Sequence, residues 1–345
     1  MIVPLLLVGC WDERLYKNSS IVSLAGFEGK TGELTGYYAY PEATTTEMKT
    51  VVIFSDGTSP RDVRQNAELK VEQTLDLSVL STILISEETA KDDLYQYLDI
   101  YFRDPTNPIT PRVAIIQGEL KPFFELTQEM QSTTGEFYSR FIKSLEENSM
   151  VTPYTLQTAG SVLFEEAQDL ALPYLKMDEE DRPIADGLAL FSGRSFTGET
   201  LSPTEGILLN VLNDSLGQST RITYLYNNSP ASVRINKLKK NLSISENEIK
   251  IDLKIEATLT EFPQENLKDE KTRIELQQFF TKKFEGDMKE IMEKLQKAKS
   301  DAIGLGRIVR AYHPKLYKED WSEHFSTLKI PINIEFEIVK TGILY

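Results

Sequence analysis

The chain has 345 residues, 40% of them hydrophobic and 26% charged, with 15 Pro and 18 Gly, the balance of an ordinary globular protein of two to three domains. Its net charge of −15 sets it against nucleic acid and anionic lipid head groups alike. A single cysteine excludes an intramolecular disulfide, so stability must come from packed cores.

At the N-terminus, Leu7-Val8-Gly9-Cys10 follows an apolar run and precedes Trp11-Asp12, in the manner of a bacterial lipoprotein signal. In such a signal the cysteine takes a diacylglyceryl group and the preceding peptide bond is then cut. Residues 1–9 are therefore expected to be a signal peptide and Cys10 the lipid attachment site. The competing reading is a buried first strand in which Cys10 is one more small apolar residue. Met1 to Gly9 contains no Lys or Arg, whereas a complete signal peptide opens on a basic region, so the expectation is a start upstream of Met1. The run is also shorter than the roughly 20 residues a bilayer-spanning helix needs. No later stretch is apolar for that long, which leaves attachment to the lipid.

Ile21 to Phe27 and Glu33 to Tyr40 are β-prone runs around a turn at Glu28–Gly32, and Val51 to Phe54 is a third. Ser59-Pro60-Arg61-Asp62 supplies a cap, a first-turn proline and an acid, predicting a helix from Pro60 to about Asp76. Val79 to Ile85 reads as strand, Glu87 to Phe102 as a helix behind Ser86, and Arg112 to Gln117 as strand. Strands alternating with helices predict a mixed sheet with crossover helices over an N-terminal domain, residues 11–125. Residues 126–205 form the expected middle domain, with a helix over Glu136–Glu147 and strands at Ser161–Leu163 and Gly187–Phe191. Met177 to Arg182 is polar and acidic, a surface loop around which a flexible junction is expected.

The C-terminal domain, residues 206–345, has the clearest patterns. Ile249, Ile251, Leu253, Ile255, Ala257 and Leu259 alternate with polar residues, as do Ile330, Ile332, Ile334, Phe336 and Ile338, predicting half-buried strands. Pro331 suits an edge or a strand start. Between them, Phe280, Phe284, Met288, Ile291, Leu295 and Ala298 recur every three or four residues within a helix over Ile274–Ala298. The expected fold is α+β and multidomain, with mixed β-sheets and packed helices, and ends in an antiparallel sheet covered by this long helix.

Cys10-Trp11-Asp12, Gly187-Leu188-Ala189-Leu190-Phe191, Ile303-Gly304-Leu305-Gly306, His313-Pro314, Trp321, Phe325 and Thr341-Gly342-Ile343-Leu344, in this order and spacing, resemble the C subunit of bacterial spore germinant receptors. This is the Ger(x)C lipoprotein family, and the resemblance runs from end to end. It implies a lipoprotein on the outer face of the inner spore membrane, with a three-domain α/β body and no known catalytic residues. It also implies partnership with two integral membrane subunits, A and a transporter-like B, in sensing amino acids or sugars. Of individual residues it carries over Cys10 alone, as the lipidated cysteine.

The residues offer little to enzymatic chemistry. Only His313 and His324 are present, their separation is not a helical ligand spacing, and no metal or cofactor is expected. No Gly-x-Ser-x-Gly elbow presents a nucleophile. Gly304-Leu305-Gly306 lacks the preceding strand of a dinucleotide fingerprint and reads as a helix-ending turn with glycine at positive φ. Lys237 to Lys240, a small basic cluster in an acidic chain, reads as a solvated strand end rather than a phosphate site. Asn-x-Ser triplets at Asn18, Asn213, Asn227 and Asn241 fit a glycosylation pattern but arise by chance, and the lipobox argues for a bacterium. Trp321 and Phe325 are expected in the C-terminal core on a short helix, with an exposed anchor for a partner as the sharper possibility. Two functions follow: a non-catalytic, lipid-anchored receptor subunit, or a lipid-anchored solute-binding protein that takes up the germinant itself. Solute-binding proteins usually show two similar lobes, and three dissimilar segments favour the first.

Overall fold

The computed structural model describes residues 19–43, 48–126, 133–263 and 270–341. Strand β1 (Ser19–Ile21) leads into the hairpin β2 (Leu24–Lys30) and β3 (Glu33–Ala43), and β4 (Met48–Gly57) pairs with β3. The Ser59 hydroxyl accepts the Asp62 N–H at 3.3 Å and starts α1 (Pro60–Glu68). This helix ends at Glu68 rather than near Asp76, because β5 (Thr74–Asp76) leaves it to pair in parallel with β1. After β6 (Thr82–Ser86), the single helix expected over 87–102 is two, α2 (Glu87–Ala90) and α3 (Leu94–Arg103). Asp93 divides them: its carboxylate accepts the Tyr95 N–H at 3.0 Å while Leu94 N–H donates to the Arg194 carbonyl at 2.9 Å.

Next come β7 (Arg112–Ile116), α4 (Lys121–Phe124) and α5 (Thr134–Glu147). Ser161–Leu163, expected as strand, is the last turn of α6 (Leu156–Leu163). A reciprocal Thr155/Thr158 capping box satisfies the first backbone donors of this helix, and Leu156, Ala159 and Leu163 are buried along it. The polar Met177–Arg182 stretch is indeed at the surface, where it closes a hairpin between β8 (Ala171–Met177) and β9 (Pro183–Ser192). Asp178 ties it off, accepting the Arg182 N–H at 2.9 Å and pairing with its guanidinium at 2.9 Å. β10 (Ser195–Leu201) and α7 (Pro203–Leu212) follow.

Eight of these strands form one sheet in the order β10-β9-β8-β7-β6-β2-β3-β4, so strands from 171–201 extend the sheet begun by 24–116. The central four, β8, β7, β6 and β2, run parallel, with antiparallel hairpins at both sides. Parallel strands buried on both faces read as unbroken apolar runs, which is why Thr82-Ile83-Leu84-Ile85 and Val113-Ala114-Ile115-Ile116 show no polar alternation. Ile83, Ile85, Val113 and Ile115 pack with α1, α3 and α6, whereas Leu84, Ala114 and Ile116 face α4, α5 and α7.

The C-terminal part holds β11 (Arg221–Tyr226), β12 (Ser229–Ile244), β13 (Ile249–Glu261), α8 (Glu270–Lys297), α9 (Leu305–Tyr312), α10 (Trp321–Thr327) and β14 (Ile332–Lys340). Its sheet runs β11-β12-β13-β14 and is antiparallel except at β14, which lies parallel to β13 with Ile255 opposite Phe336. The expected wholly antiparallel sheet is thus mixed at one edge. The long helix carries the chain back along the sheet before β14 begins, and a crossover of that kind yields a parallel neighbour. The apolar stripe of α8 covers the sheet, with Phe280 and Phe284 set 5.2 and 5.4 Å from the Phe336 ring. This core continues under α7 into the helix-covered face of the larger sheet.

Candidate functional site: the junction around Asp301

Cys10 and the lipobox lie outside the described residues, as do Trp11-Asp12 and Gly342-Ile343-Leu344. Most of the other residues that carried the family resemblance fall at two packing points. At Gly187 φ is +125°, and a Cβ there would stand 1.8 Å from the Leu201 carbonyl oxygen, so only glycine lets β9 and β10 close over one another. The second point gathers Gly304, Gly306, Trp321 and Phe325 around Asp301. His313 ends α9 at the surface and takes no part in it, while the His324 ring stands edge-on to Trp321 at 5.5 Å.

Asp301 follows the end of α8 and is completely buried. Its Oδ1 accepts the Leu305 N–H at 3.0 Å, and its Oδ2 accepts the Gly306 N–H at 2.7 Å and the Trp321 indole N–H at 2.8 Å. Gly304, at φ +67°, starts α9 rather than ending α8, and so presents the first helical donors to this carboxylate. A Cβ on Gly306 would lie 2.4 Å from the indole nitrogen and 2.7 Å from the Ala167 carbonyl oxygen. The glycine spacing therefore serves a carboxylate–indole lock, and both Trp321 and Phe325 are core residues.

Asp169, in the loop before β8, completes the lock from the larger sheet. Its carboxylate accepts the Asp301 N–H at 2.7 Å and the Gly193 N–H at 2.6 Å. No cation pairs with either aspartate among the described residues. Burial pushes the Asp169 carboxyl up to about 7 against the opposing pull of those two N–H groups. Burial likewise raises Asp301, opposed by Gly306, Leu305 and the indole.

A cavity of about 290 Å³ opens beside this lock, between the loop before α6, the end of α7, β12 and the start of α9. Lys240 reaches it from β12, correcting its reading as part of a solvated strand end. A register shift between Ile235 and Lys237 changes the inward parity of β12, so Leu238, Lys240, Leu242 and Ile244 share the inner face. Lys240 Nζ donates to the Leu212 carbonyl at 2.5 Å, and burial lowers the pKa of its ammonium despite Asp214 and Asp301. Arg307, from the first turn of α9, donates to Gln168 Oε1 at 3.3 Å. The signal for Lys240 was present in the sequence, in its alternation with Leu238 and Leu242. Asp169, Asp301 and Arg307 had none, since their partners are more than a hundred residues away or on a turn that only the fold places.

Two family models match the chain in succession: "Spore germination protein N-terminal domain" over residues 12–177 and "Spore germination B3/ GerAC like, C-terminal" over residues 186–342. A putative spore germination protein YfkR of Bacillus subtilis (strain 168) is 22% identical over all of this chain and 96% of its own length. Spore germination protein GerQC of Bacillus cereus is 22% identical over 99% of this chain and 98% of its own. A crystal structure of the GerBC protein superposes with a TM-score of 0.62 at 19% identity, covering 91% of this chain and 97% of that one, and so shares the fold. With both halves matched in order and the fold in common, the chain belongs to the GerAC/GerBC-like family of spore germination receptor C subunits.

Proposed function

We propose that this protein is a non-catalytic, lipid-anchored subunit of a spore germinant receptor, acting with integral membrane A and B subunits to trigger germination. Cys10 would carry the lipid and hold the body at the extracytoplasmic face of the inner spore membrane. The observation that carries the reading is the succession of both family models along nearly the whole chain. Among the described residues, no helix is long and apolar enough to cross a membrane, and no group of three or more His, Cys, Asp or Glu is placed to hold a metal ion. Purification of the tagged chain from spore membranes, with mass spectrometry of what accompanies it, tests the proposal. Two integral membrane germination proteins are expected, and recovery of the chain without any membrane partner overturns it.

A further inference from the structure

Leu69, which caps the C-terminus of α1, is the most exposed large apolar side chain among the described residues, at 85%. The next residue, Lys70, ties it to a second one. Lys70 Nζ donates to the Phe54 carbonyl on the edge strand β4 at 2.9 Å and lies 5.6 Å from the centre of the Phe54 ring, which is itself 49% exposed. Asn66 fastens the same edge a little further on, its Nδ2 donating to the Asp56 carbonyl at 2.9 Å. The end of α1 is thus held along β4, and Leu69 and Phe54 share one outer corner of the larger sheet with a lysine between them. Apolar side chains beside a long cationic one suit the boundary between lipid head groups and acyl chains.

This corner is also where the described chain starts. β1 begins at Ser19, which pairs with Thr74, five residues beyond Leu69. With Cys10 as the lipidated residue, nine residues separate the bilayer from Ser19, and these span at most about 30 Å. A globular chain of 345 residues is about 50 Å across. The far side of the body therefore stays clear of the bilayer, and the side that carries Ser19 is turned to it. With a net charge of −15 the body gains nothing from anionic head groups, so a favourable contact there must be apolar.

We propose that Leu69 and Phe54, with Lys70 between them, rest in the lipid surface to which Cys10 is anchored and so orient the body on it. This deepens the lipid-anchor reading and rests on it. Lys70 keeps its bond to the Phe54 carbonyl and turns its remaining ammonium hydrogens to lipid phosphate. Two side chains are too small a contact to hold the body without the anchor. They fix which face meets the membrane and which is left to other proteins. Leu225 on β11 and Tyr312 on α9, 68% and 77% exposed, belong to the C-terminal part and provide the comparison.

The contact can be measured apart from native lipidation, because Cys10 is the only cysteine and a maleimide bearing one myristoyl-length chain couples to it alone. A single chain of that length binds bilayers only marginally, so a further contact appears as tighter partition. The chain from Cys10 onward, coupled in this way, is sedimented with phosphatidylcholine vesicles. Leu69→Ser is expected to weaken partition several-fold, and Leu69→Ser with Phe54→Ser about tenfold or more, whereas Leu225→Ser and Tyr312→Ser leave it unchanged. Should Phe54→Ser lower the melting temperature, Leu69→Ser decides alone. Undiminished partition of Leu69→Ser, or an equal loss in Leu225→Ser and Tyr312→Ser, overturns the proposal. Failure of the anchor itself would show separately, in cells, as Cys10→Ala that remains with the membrane.

Discussion

Asp169 and Asp301, 132 residues apart in sequence, clasp one another through a two-way hydrogen bond: the Asp301 N–H donates to the Asp169 carboxylate at 2.7 Å, and the Asp169 N–H donates to the Asp301 carbonyl at 3.1 Å. One belongs to the loop leading into the larger sheet and the other to the turn after the long helix of the smaller. The clasp joins the two sheets where their common core reaches the polar cavity, and it does so with two buried carboxylates and, among the described residues, no cation.

The raised pKa of Asp169 makes this clasp sensitive to pH. An acid whose folded pKa is lifted to about 7 keeps its proton in the native state where the unfolded chain has lost it. Its contribution is then fully present below the ordinary carboxylate range and is lost as pH rises through about 7. The melting temperature of the wild type should therefore exceed that of Asp169→Asn by less at about pH 8 than at about pH 5. Thermal melts across that range check it, and a gap that widens with pH would show that the N–H donors hold the carboxylate ionised.

Gly306→Ala should lower stability by about 1–3 kcal/mol, because its methyl group collides with the Trp321 indole and the Ala167 carbonyl. The indole–Asp301 bond would be displaced, altering the emission of Trp321. Gly286→Ala is the control: it lies in the exposed interior of α8, its Cβ meets nothing within 4 Å, and it should stabilise by about 0.5–1 kcal/mol. Urea unfolding followed by tryptophan fluorescence measures both.

Phe284 stands between Phe336 and Tyr224, at 5.4 and 5.9 Å, fully buried under α8. Phe284→Ala is expected to cost about 3–5 kcal/mol, whereas Lys289→Ala, on the solvent face of the same helix, should cost almost nothing. An unchanged melting temperature for Phe284→Ala would contradict its place in the core.

Cys10→Ala should leave the body folded and release it from the membrane. Two acyl chains contribute about 0.8 kcal/mol for each buried CH₂, and a body of net charge −15 has no attraction of its own for anionic lipid. Fractionation in a strain lacking the partner subunits is the measurement, and a variant that still sediments with membranes would disprove the anchor.

Periodicity alone determined the elements whose burial is one-sided. The alternation over Ile249–Leu259 and the stripe from Phe280 to Leu295 appear in the structure as β13 and α8, because a residue's face in a regular element follows from its position in the repeat. The same reasoning failed where distant contacts overrode local preference. The helix begun at Pro60 was cut short by pairing of β5 with β1, and the strand expected at Ser161 was the end of a helix buried against the larger sheet. Membership in the family was legible from glycines and aromatics in order. What those residues do was not: Gly306 and Trp321 matter because both meet Asp301, and that encounter exists only after β8 and the turn following α8 have been brought together. For Lys240 the alternation with Leu238 and Leu242 was in the sequence, but the basic run around it hid that signal, and the register shift in β12 set which parity faces inward. Sequence specifies which face a side chain occupies within its element; only tertiary packing decides what stands opposite, as the contacts of Asp301 with Asp169 and Trp321 show.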